Sequence, residues 1–177
     1  MSLPRVLTLD KDGRLRMEVA DTVDQLRTKE ESLRITSDDE SSHRKLNSIR
    51  IHNCCGEVLC KVRRSSAPFQ ISFTGSVDNV NPWLTWKFDP SDPGNVSIDS
   101  HSIPISLRDD EDLELHLYAD GSVIEVCVNK QVAWTKRFYA KSDNPQDLCF
   151  NWSGRTTDIV SLTVWQLAPI SNDRLTT

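Results

Sequence analysis

Long hydrophobic runs are missing from this sequence of 177 residues. A membrane-spanning helix needs about 18 or more consecutive apolar residues, and no such stretch occurs, so we expect no membrane partner. The first residues, Met1 to Arg5, also lack the apolar centre of a signal peptide. The compartment therefore stays open, and a cytoplasmic location follows only if this start is native.

An excess of basic residues is missing too. The chain carries 21 Lys and Arg residues against 26 Asp and Glu residues, which gives a formal net charge of −5. Proteins that bind the phosphate backbone of a nucleic acid present a basic face, and membrane-surface helices are basic and amphipathic. Neither pattern occurs here, so we exclude nucleic acid and the membrane surface as partners.

The sequence has cysteines but neither a disulfide framework nor a zinc framework. They are odd in number and two are adjacent: Cys54, Cys55, Cys60, Cys127 and Cys149. A structural zinc site usually takes two ligand pairs at CxxC-like spacing, and no second pair follows the first three cysteines. We therefore expect free thiols buried in strands, with no metal and no cofactor.

Catalytic motifs are absent as well. The sequence has no GxSxG nucleophile elbow, no phosphate-binding loop and no GxGxxG pattern. The histidines stand singly, at His43, His52, His101 and His116. The four consecutive acids of residues 109–112 predict a solvated loop, because neighbouring carboxylates do not converge on a substrate from opposite sides. Glu114 and Glu125 fit an ordinary polar sheet face, so we predict no catalytic residue.

Alternation of apolar and polar residues with period two is the main pattern that the sequence does contain. From residue 49 onward, short alternating runs are separated by turn residues at roughly the 8–12-residue spacing that is typical of sandwiches. The clearest case is residues 113–129, where two such runs flank the Asp120-Gly121 turn. The sequence therefore predicts an all-β fold, a two-sheet antiparallel β-sandwich with at most one short helix.

The N-terminal quarter of the chain is less regular. Residues 3–9 and 14–17 predict two strands around a turn, and residues 21–27 predict one short helix with Asp21 as its cap. Residues 28–48 are polar and predict a loop for the most part, with residues 33–35 as an edge strand.

Two of the five tryptophans bear on a binding hypothesis. Trp86 alternates with Leu84 and Phe88, which indicates a core position, whereas Trp83 falls on the opposite face. The apolar face of a sugar ring stacks on exposed aromatic side chains, so Trp83 is the candidate carbohydrate-binding residue, although tryptophans in sandwiches are more often buried. An autonomous carbohydrate-binding module is therefore one functional hypothesis.

A small enzyme with a new carboxylate pair is another functional hypothesis. Two acids that face one another across a cleft would favour it.

Three segments of the sequence matter when they are read together and in order. They are residues 3–27, with Leu3-Pro4-Arg5, Asp12-Gly13-Arg14-Leu15 and Leu26-Arg27; residues 113–129, with Asp120-Gly121-Ser122-Val123-Ile124-Glu125-Val126-Cys127-Val128-Asn129; and residues 162–167, Leu162-Thr163-Val164-Trp165-Gln166-Leu167. Together these segments resemble the C-terminal part of glycoside hydrolase family 32, the invertase, inulinase and levanase family. The middle segment is the most specific, and it departs from the family pattern at Cys127, where Phe is usual.

The resemblance implies a concanavalin A-like sandwich that supports a catalytic β-propeller, in a parent enzyme that cleaves β-fructofuranosyl bonds of sucrose or fructans. The family's catalytic motifs lie in that propeller and are not matched here. Asp89-Pro90 lacks the preceding Asn, Arg108-Asp109 is followed by Asp110 instead of Pro, and no Glu-Cys pair occurs. The chain itself is therefore expected not to be an enzyme.

The resemblance also implies how the chain is divided. Residues 1–28 would be seam strands and a linker from an absent N-terminal propeller, and residues 29–177 would be the sandwich. The propeller would be the main partner, while carbohydrate binding and homodimerisation stay open. It follows that the first hairpin should expose an apolar surface in the isolated chain.

Overall fold

The computed structural model describes residues 3–65, 67–76, 81–138 and 146–168. Within these ranges the chain forms fourteen β-strands, one α-helix and three short 3-10 helices at Asp21–Leu26, His52–Cys54 and Thr156–Asp158. The strands and the helix are β1 (Arg5–Leu9), β2 (Leu15–Val19), β3 (Arg27–Leu33), α1 (Glu40–Asn47), β4 (Arg50–Ile51), β5 (Cys55–Val62), β6 (Phe69–Gly75), β7 (Leu84–Phe88), β8 (Asn95–Ile98), β9 (His101–Pro104), β10 (Leu113–Asp120), β11 (Val123–Val128), β12 (Val132–Arg137), β13 (Leu148–Ser153) and β14 (Ile159–Leu167).

Two six-stranded sheets make up most of the structure. Sheet I has the strand order β12-β11-β10-β5-β14-β3, and sheet II has the order β4-β13-β6-β7-β8-β9. Strands β1 and β2 form a separate two-stranded hairpin. Neighbouring strands are antiparallel, for example β10 with β5 and β6 with β13. The predicted two-sheet antiparallel sandwich is therefore confirmed, and the described residues hold one short α-helix, within the predicted limit of at most one.

The core lies between the two sheets and follows the alternation of the sequence. Leu113, Leu115 and Leu117 on β10 are fully buried, and Trp86 on β7 is fully buried among the side chains of sheet II. Each such side chain contributes roughly 1.5–3 kcal/mol relative to leaving it exposed. The predicted hairpin is also confirmed, because β10 and β11 are joined by a turn in which Gly121 has φ +61°.

The segment predicted as a loop holds the single α-helix, so that prediction was wrong. Asp39 caps α1, because its side chain accepts a hydrogen bond of 2.8 Å from the backbone N–H of Ser42. Leu46 is the one large side chain that the helix buries. The helix is short and has a single apolar anchor, so it leaves almost no periodic signal in the sequence.

The edge of sheet I also differs from the prediction. Residues 33–35 were expected as the edge strand, but β3 covers Arg27–Leu33 and pairs with β14. The polar composition of β3 gives no apolar alternation from which a strand could be predicted. An exposed edge strand carries charged side chains such as Lys29 and Glu30 because they protect it from unwanted pairing. The helix expected at residues 21–27 is a 3-10 helix, and no side chain caps its N-terminus.

Candidate functional site

The N-terminal hairpin exposes an apolar surface. Leu7, Leu9 and Leu15 are 60%, 71% and 54% exposed, and Val6 on the same hairpin is 49% exposed. Leu7, Leu9 and Leu15 lie on one side of the hairpin, because side chains alternate along a strand and Leu9 is paired with Leu15. We refer to these three side chains as the hairpin face. Contiguous exposed apolar surface of this kind marks an interaction site.

The opposite side of the hairpin carries Val6 but is otherwise polar, and it holds the hairpin on the sandwich. Arg16 is buried there, and its guanidinium donates hydrogen bonds to Asp10 and to the backbone carbonyl of Asn129. The backbone N–H of Met17 donates to the carbonyl of Lys130 at 2.7 Å. Hydrogen bonds from the backbone of Arg14 and from the Arg16 side chain hold the pKa of Asp10 below its usual range.

A polar cleft of about 520 Å³ lies between the hairpin, the acidic loop and sheet I. The run of residues 109–112 contributes three of its acids to the cleft wall. Arg16 pairs with Asp10 at 2.8 Å and with Glu111 at 3.7 Å, and Lys61 pairs with Glu114 at 3.2 Å. Asp10, Glu111 and Glu114 are thus each bound to a basic side chain of the same cleft. The cleft therefore gives no support to the hypothesis of a carboxylate-pair enzyme.

Trp83 lies just before β7, where its backbone N–H donates to the carbonyl of Phe73. Its ring is half-buried and stacks on Phe138, with centroids 4.1 Å apart and an interplanar angle of 19°. A Cβ atom added to Gly75 would come within 2.4 Å of the same ring. Trp83 thus packs against the end of the core, and a bound sugar would have at most one free ring face. That Trp83 binds carbohydrate stays a prediction.

The other tryptophans offer no further open platform. All five lie in described residues, and none of them is exposed. Trp86 and Trp152 are buried. Trp134 is 4.8 Å from the ring of His101, and the guanidinium of Arg27 lies 4.2 Å over the ring of Trp165. A linear set of exposed rings, which the carbohydrate-binding hypothesis would favour, is therefore not found.

No disulfide joins the five cysteines, all of which lie in described residues. Cys54, Cys60 and Cys149 are buried, as predicted, while Cys55 and Cys127 are half-buried. Burial raises the pKa of Cys54 and of Cys60 to about 12, so these thiols stay protonated and unreactive at neutral pH. Among the described residues, no group of three or more His, Cys, Asp or Glu side chains is arranged to hold a metal ion.

The Asp-Pro pair between β7 and β8 is part of a turn. Asp89 accepts hydrogen bonds from the backbone N–H and the hydroxyl of Ser91 at 2.9 and 2.7 Å, and these bonds lower its pKa. Asn95 donates to Asp92 in the same turn. The side chains are thus used to shape the chain reversal, as the sequence predicts for this segment.

Of the helices in the described part of the chain, none has the length and apolar character needed to cross a bilayer.

Two buried carboxylates escaped the sequence-based interpretation. Glu57 on β5 is fully buried, and Glu125 on β11 is 5% exposed although its position suggested an ordinary polar face. Each is bound to an arginine from the N-terminal residues, Glu57 to Arg27 and Glu125 to Arg5. The sequence carries no signal for this burial, because it depends on which distant segment covers the sheet.

Comparison with known families agrees with this architecture. The family model described as "Glycosyl hydrolases family 32 C terminal" matches residues 22–166. The chain therefore belongs to the family 32 glycoside hydrolase C-terminal domains, and the resemblance seen in its motifs is confirmed. A comparison with curated proteins found no match.

Solved structures of larger enzymes share the fold. Sucrose-6-phosphate hydrolase from Lactobacillus gasseri matches with a TM-score of 0.64 and 22% identity, over 93% of this chain and 33% of that one. A β-fructofuranosidase of Bombyx mori matches with a TM-score of 0.62 and 16% identity, over 94% of this chain and 32% of that one. The fructofuranosidase of Schwanniomyces occidentalis, complexed with fructose, matches with a TM-score of 0.61 and 16% identity, over 95% of this chain and 40% of that one. The chain thus spans between about a third and two fifths of the length of these structures.

Proposed function

We propose that this chain is the non-catalytic C-terminal accessory domain of a glycosidase that hydrolyses β-fructofuranosyl bonds in sucrose or fructans. Its family membership supports a glycosidase parent. The names of the similar structures, a sucrose-6-phosphate hydrolase and two β-fructofuranosidases, support the substrate class. The motifs that carry catalysis in the family are not matched by these 177 residues. Catalysis would then reside in the remainder of the parent protein.

The hairpin face is the observation that carries this proposal. Leu7, Leu9 and Leu15 are more than half exposed in a chain that covers 33% of the hydrolase it resembles. Burying them against the rest of the parent would remove this apolar area from water, which stabilises association. We accordingly propose that residues 1–28 form the seam with an N-terminal catalytic propeller and that residues 29–177 form the supporting sandwich. The role of the domain would be to buttress the propeller.

A hydrolysis assay tests the missing catalysis. The chain is incubated with sucrose, inulin and levan, and released fructose is measured. We expect no release above the buffer blank at any substrate concentration. Release of fructose that scales with protein concentration and persists through repurification would contradict the proposal and would restore the carboxylate-pair hypothesis.

The alternative is an autonomous carbohydrate-binding module that uses Trp83. Titration calorimetry with the same three sugars separates the two functions. The accessory-domain proposal predicts no heat of binding. Binding that is lost in Trp83→Ala but kept in Trp134→Ala, a second half-buried tryptophan, would favour the binding module instead.

A further inference from the structure

A row of side chains crosses the outer face of sheet I. In the strand register, Trp165 on β14 is opposite Glu57 on β5, Glu57 is opposite Tyr118 on β10, and Tyr118 is opposite Glu125 on β11. We call these four side chains the cross-strand row. Directly opposite residues have Cβ atoms about 4.5–5.5 Å apart, so the row is continuous over four strands.

Three of the four side chains in the row are buried and Trp165 is half-buried, although the row faces away from the sandwich core. Glu57 is fully buried, and Tyr118 and Glu125 are each 5% exposed. The outer face of an antiparallel sheet is normally solvated, and a carboxylate is almost never fully buried unless it is paired. By contrast, Glu114 on the same face of β10 is partly accessible and pairs with Lys61. Another part of the chain must therefore cover the row.

Arg27 covers one end of the row. It follows the 3-10 helix Asp21–Leu26 directly, and its guanidinium donates to both carboxylate oxygens of Glu57 at 2.6 and 2.7 Å. The same guanidinium stacks on Trp165 and pairs with Asp24 at 2.9 Å. An arginine can form a bidentate hydrogen bond with a carboxylate and stack on an aromatic ring at the same time, whereas a lysine cannot.

His116 completes the surroundings of Glu57. Its Nε2 atom lies 2.5 Å from Glu57 Oε1, the same oxygen that accepts a hydrogen bond from Arg27. Burial raises the pKa of Glu57, but the hydrogen bonds from His116 and Arg27 outweigh it and leave the pKa below its ordinary value. The carboxylate is therefore ionised and fully bound by side chains of this chain.

Arg5 covers the other end of the row. Its guanidinium bonds Glu125 Oε2 at 2.8 Å, and the backbone N–H of Leu3 donates to Glu125 Oε1 at 2.7 Å. The backbone N–H of Ala20 donates to the carbonyl of Pro4, which ties the end of β2 to the same place. Both ends of the N-terminal segment, residues 3–27, are thus bound to buried carboxylates of sheet I.

We infer that the cross-strand row is an anchor that fixes residues 3–27 to sheet I through Arg5 and Arg27, so that the hairpin and the sandwich move as one rigid body. The segment before β3 is then held rigidly on sheet I and is not a flexible linker. The inference concerns this chain alone and holds or fails independently of the proposed function. If that function is also correct, the anchor sets the angle at which the hairpin face meets the rest of the parent enzyme.

Amide hydrogen exchange of the full chain, followed residue by residue with NMR, tests the anchor. The reporters are two amides in hydrogen bonds between the segment and the sandwich: that of Met17, which bonds Lys130, and that of Ala168, which bonds Leu26. The variant is the double substitution Glu57→Gln and Glu125→Gln, and the matched control is Glu114→Gln on the same face. We expect both reporters to exchange at least about tenfold faster in the double variant, while the amides of Leu115 and Leu117 are unchanged. The control should alter neither set.

Two results would overturn the inference. If the reporters keep their wild-type exchange rates in the double variant, the carboxylates do not hold the segment. If the β10 amides accelerate as much as the reporters, the row stabilises the whole sandwich and is no local anchor. Should the double variant fail to fold, Arg27→Lys answers the same question, because it keeps the charge but loses the bidentate hydrogen bond. Faster exchange at Ala168, whose amide bonds Leu26 next to Arg27, would support the anchor, and unchanged exchange would overturn it.

Discussion

The sandwich and the N-terminal hairpin are built in opposite ways. In the sandwich, apolar side chains such as Trp86 and Leu117 are fully buried between two sheets, and polar groups lie outside. In the hairpin, the apolar side chains Leu7 and Leu9 face solvent, and the buried contacts are polar, through Arg16 and its partners. The core side chains of the sandwich are thus covered by the chain itself, whereas the hairpin is held by hydrogen bonds and ion pairs and leaves its apolar side uncovered.

This difference separates stability from association. Burial of apolar area is the main source of folding free energy, and it is concentrated in the sandwich. Apolar area left exposed adds nothing to the stability of the isolated chain, but it is available for binding. Substitutions in the two regions should therefore affect different measurements.

The largest effect is expected in the core. Replacing Trp86, which is fully buried, with Ala removes a large aromatic side chain and leaves a cavity. The free energy of unfolding should fall by about 3–5 kcal/mol. Leu9→Ala on the hairpin face is the matched control and should change it by no more than about 0.5 kcal/mol. Urea unfolding, followed by tryptophan fluorescence and by circular dichroism, measures both; equal losses would refute the contrast between the two regions.

An intermediate effect is expected at the anchor, and it depends on pH. Because the folded-state pKa of Glu57 lies below its ordinary value of 4.5, the ionised carboxylate stabilises the fold above the unfolded-state pKa. That contribution is lost as the pH falls through the lower, folded-state pKa. Glu57→Gln should therefore cost about 1–3 kcal/mol near pH 7, since Arg27 is 25% exposed, and much less in acid.

Urea midpoints of the wild type and of Glu57→Gln, measured from about pH 7 down to pH 3, check this pH dependence. The two curves should converge toward acid. A difference that is constant with pH would mean that the carboxylate charge contributes nothing, and Glu114→Gln serves as the control for a carboxylate outside the row.

A smaller effect is expected at the hairpin tips, where two glycines allow a like-for-like comparison. Gly121 and Gly13 have φ of +61° and +74°, and a Cβ atom added to either would meet no other atom. Gly121→Ala should cost about 1 kcal/mol from the positive φ alone, and this cost falls on global stability because the turn joins β10 and β11 of sheet I. Gly13→Ala should change global stability less, since its hairpin lies outside the core. Gly94→Ala, where space is open and φ is not positive, is the unstrained control.

Much of the fold could be predicted from local pattern. Leu113, Leu115 and Leu117 alternate with polar residues around Asp120-Gly121, and the structure pairs these residues in a hairpin as expected. Such features are predictable because side-chain alternation and turn chemistry act over a few residues.

The features that were missed depend on distant contacts. Helix α1 buries only Leu46, and β3 is a polar edge, so neither has a periodic apolar pattern. Glu57 and Glu125 look like solvent-facing residues until the N-terminal segment is laid over them. Trp83 was placed on the outer face, but its ring packs on Phe138, which is 55 positions later in the chain.

The uncovered hairpin face is the central element of this account, and a dye-binding measurement tests it most directly. The triple substitution of Leu7, Leu9 and Leu15 by Lys is compared with the wild type for binding of an apolar fluorescent dye and for urea stability. The account predicts that dye binding is lost while the free energy of unfolding stays within about 1 kcal/mol, because exposed side chains contribute little to folding. Dye binding that persists, or a collapse of stability in the triple variant, would show that the face is not an uncovered interface and would contradict the account.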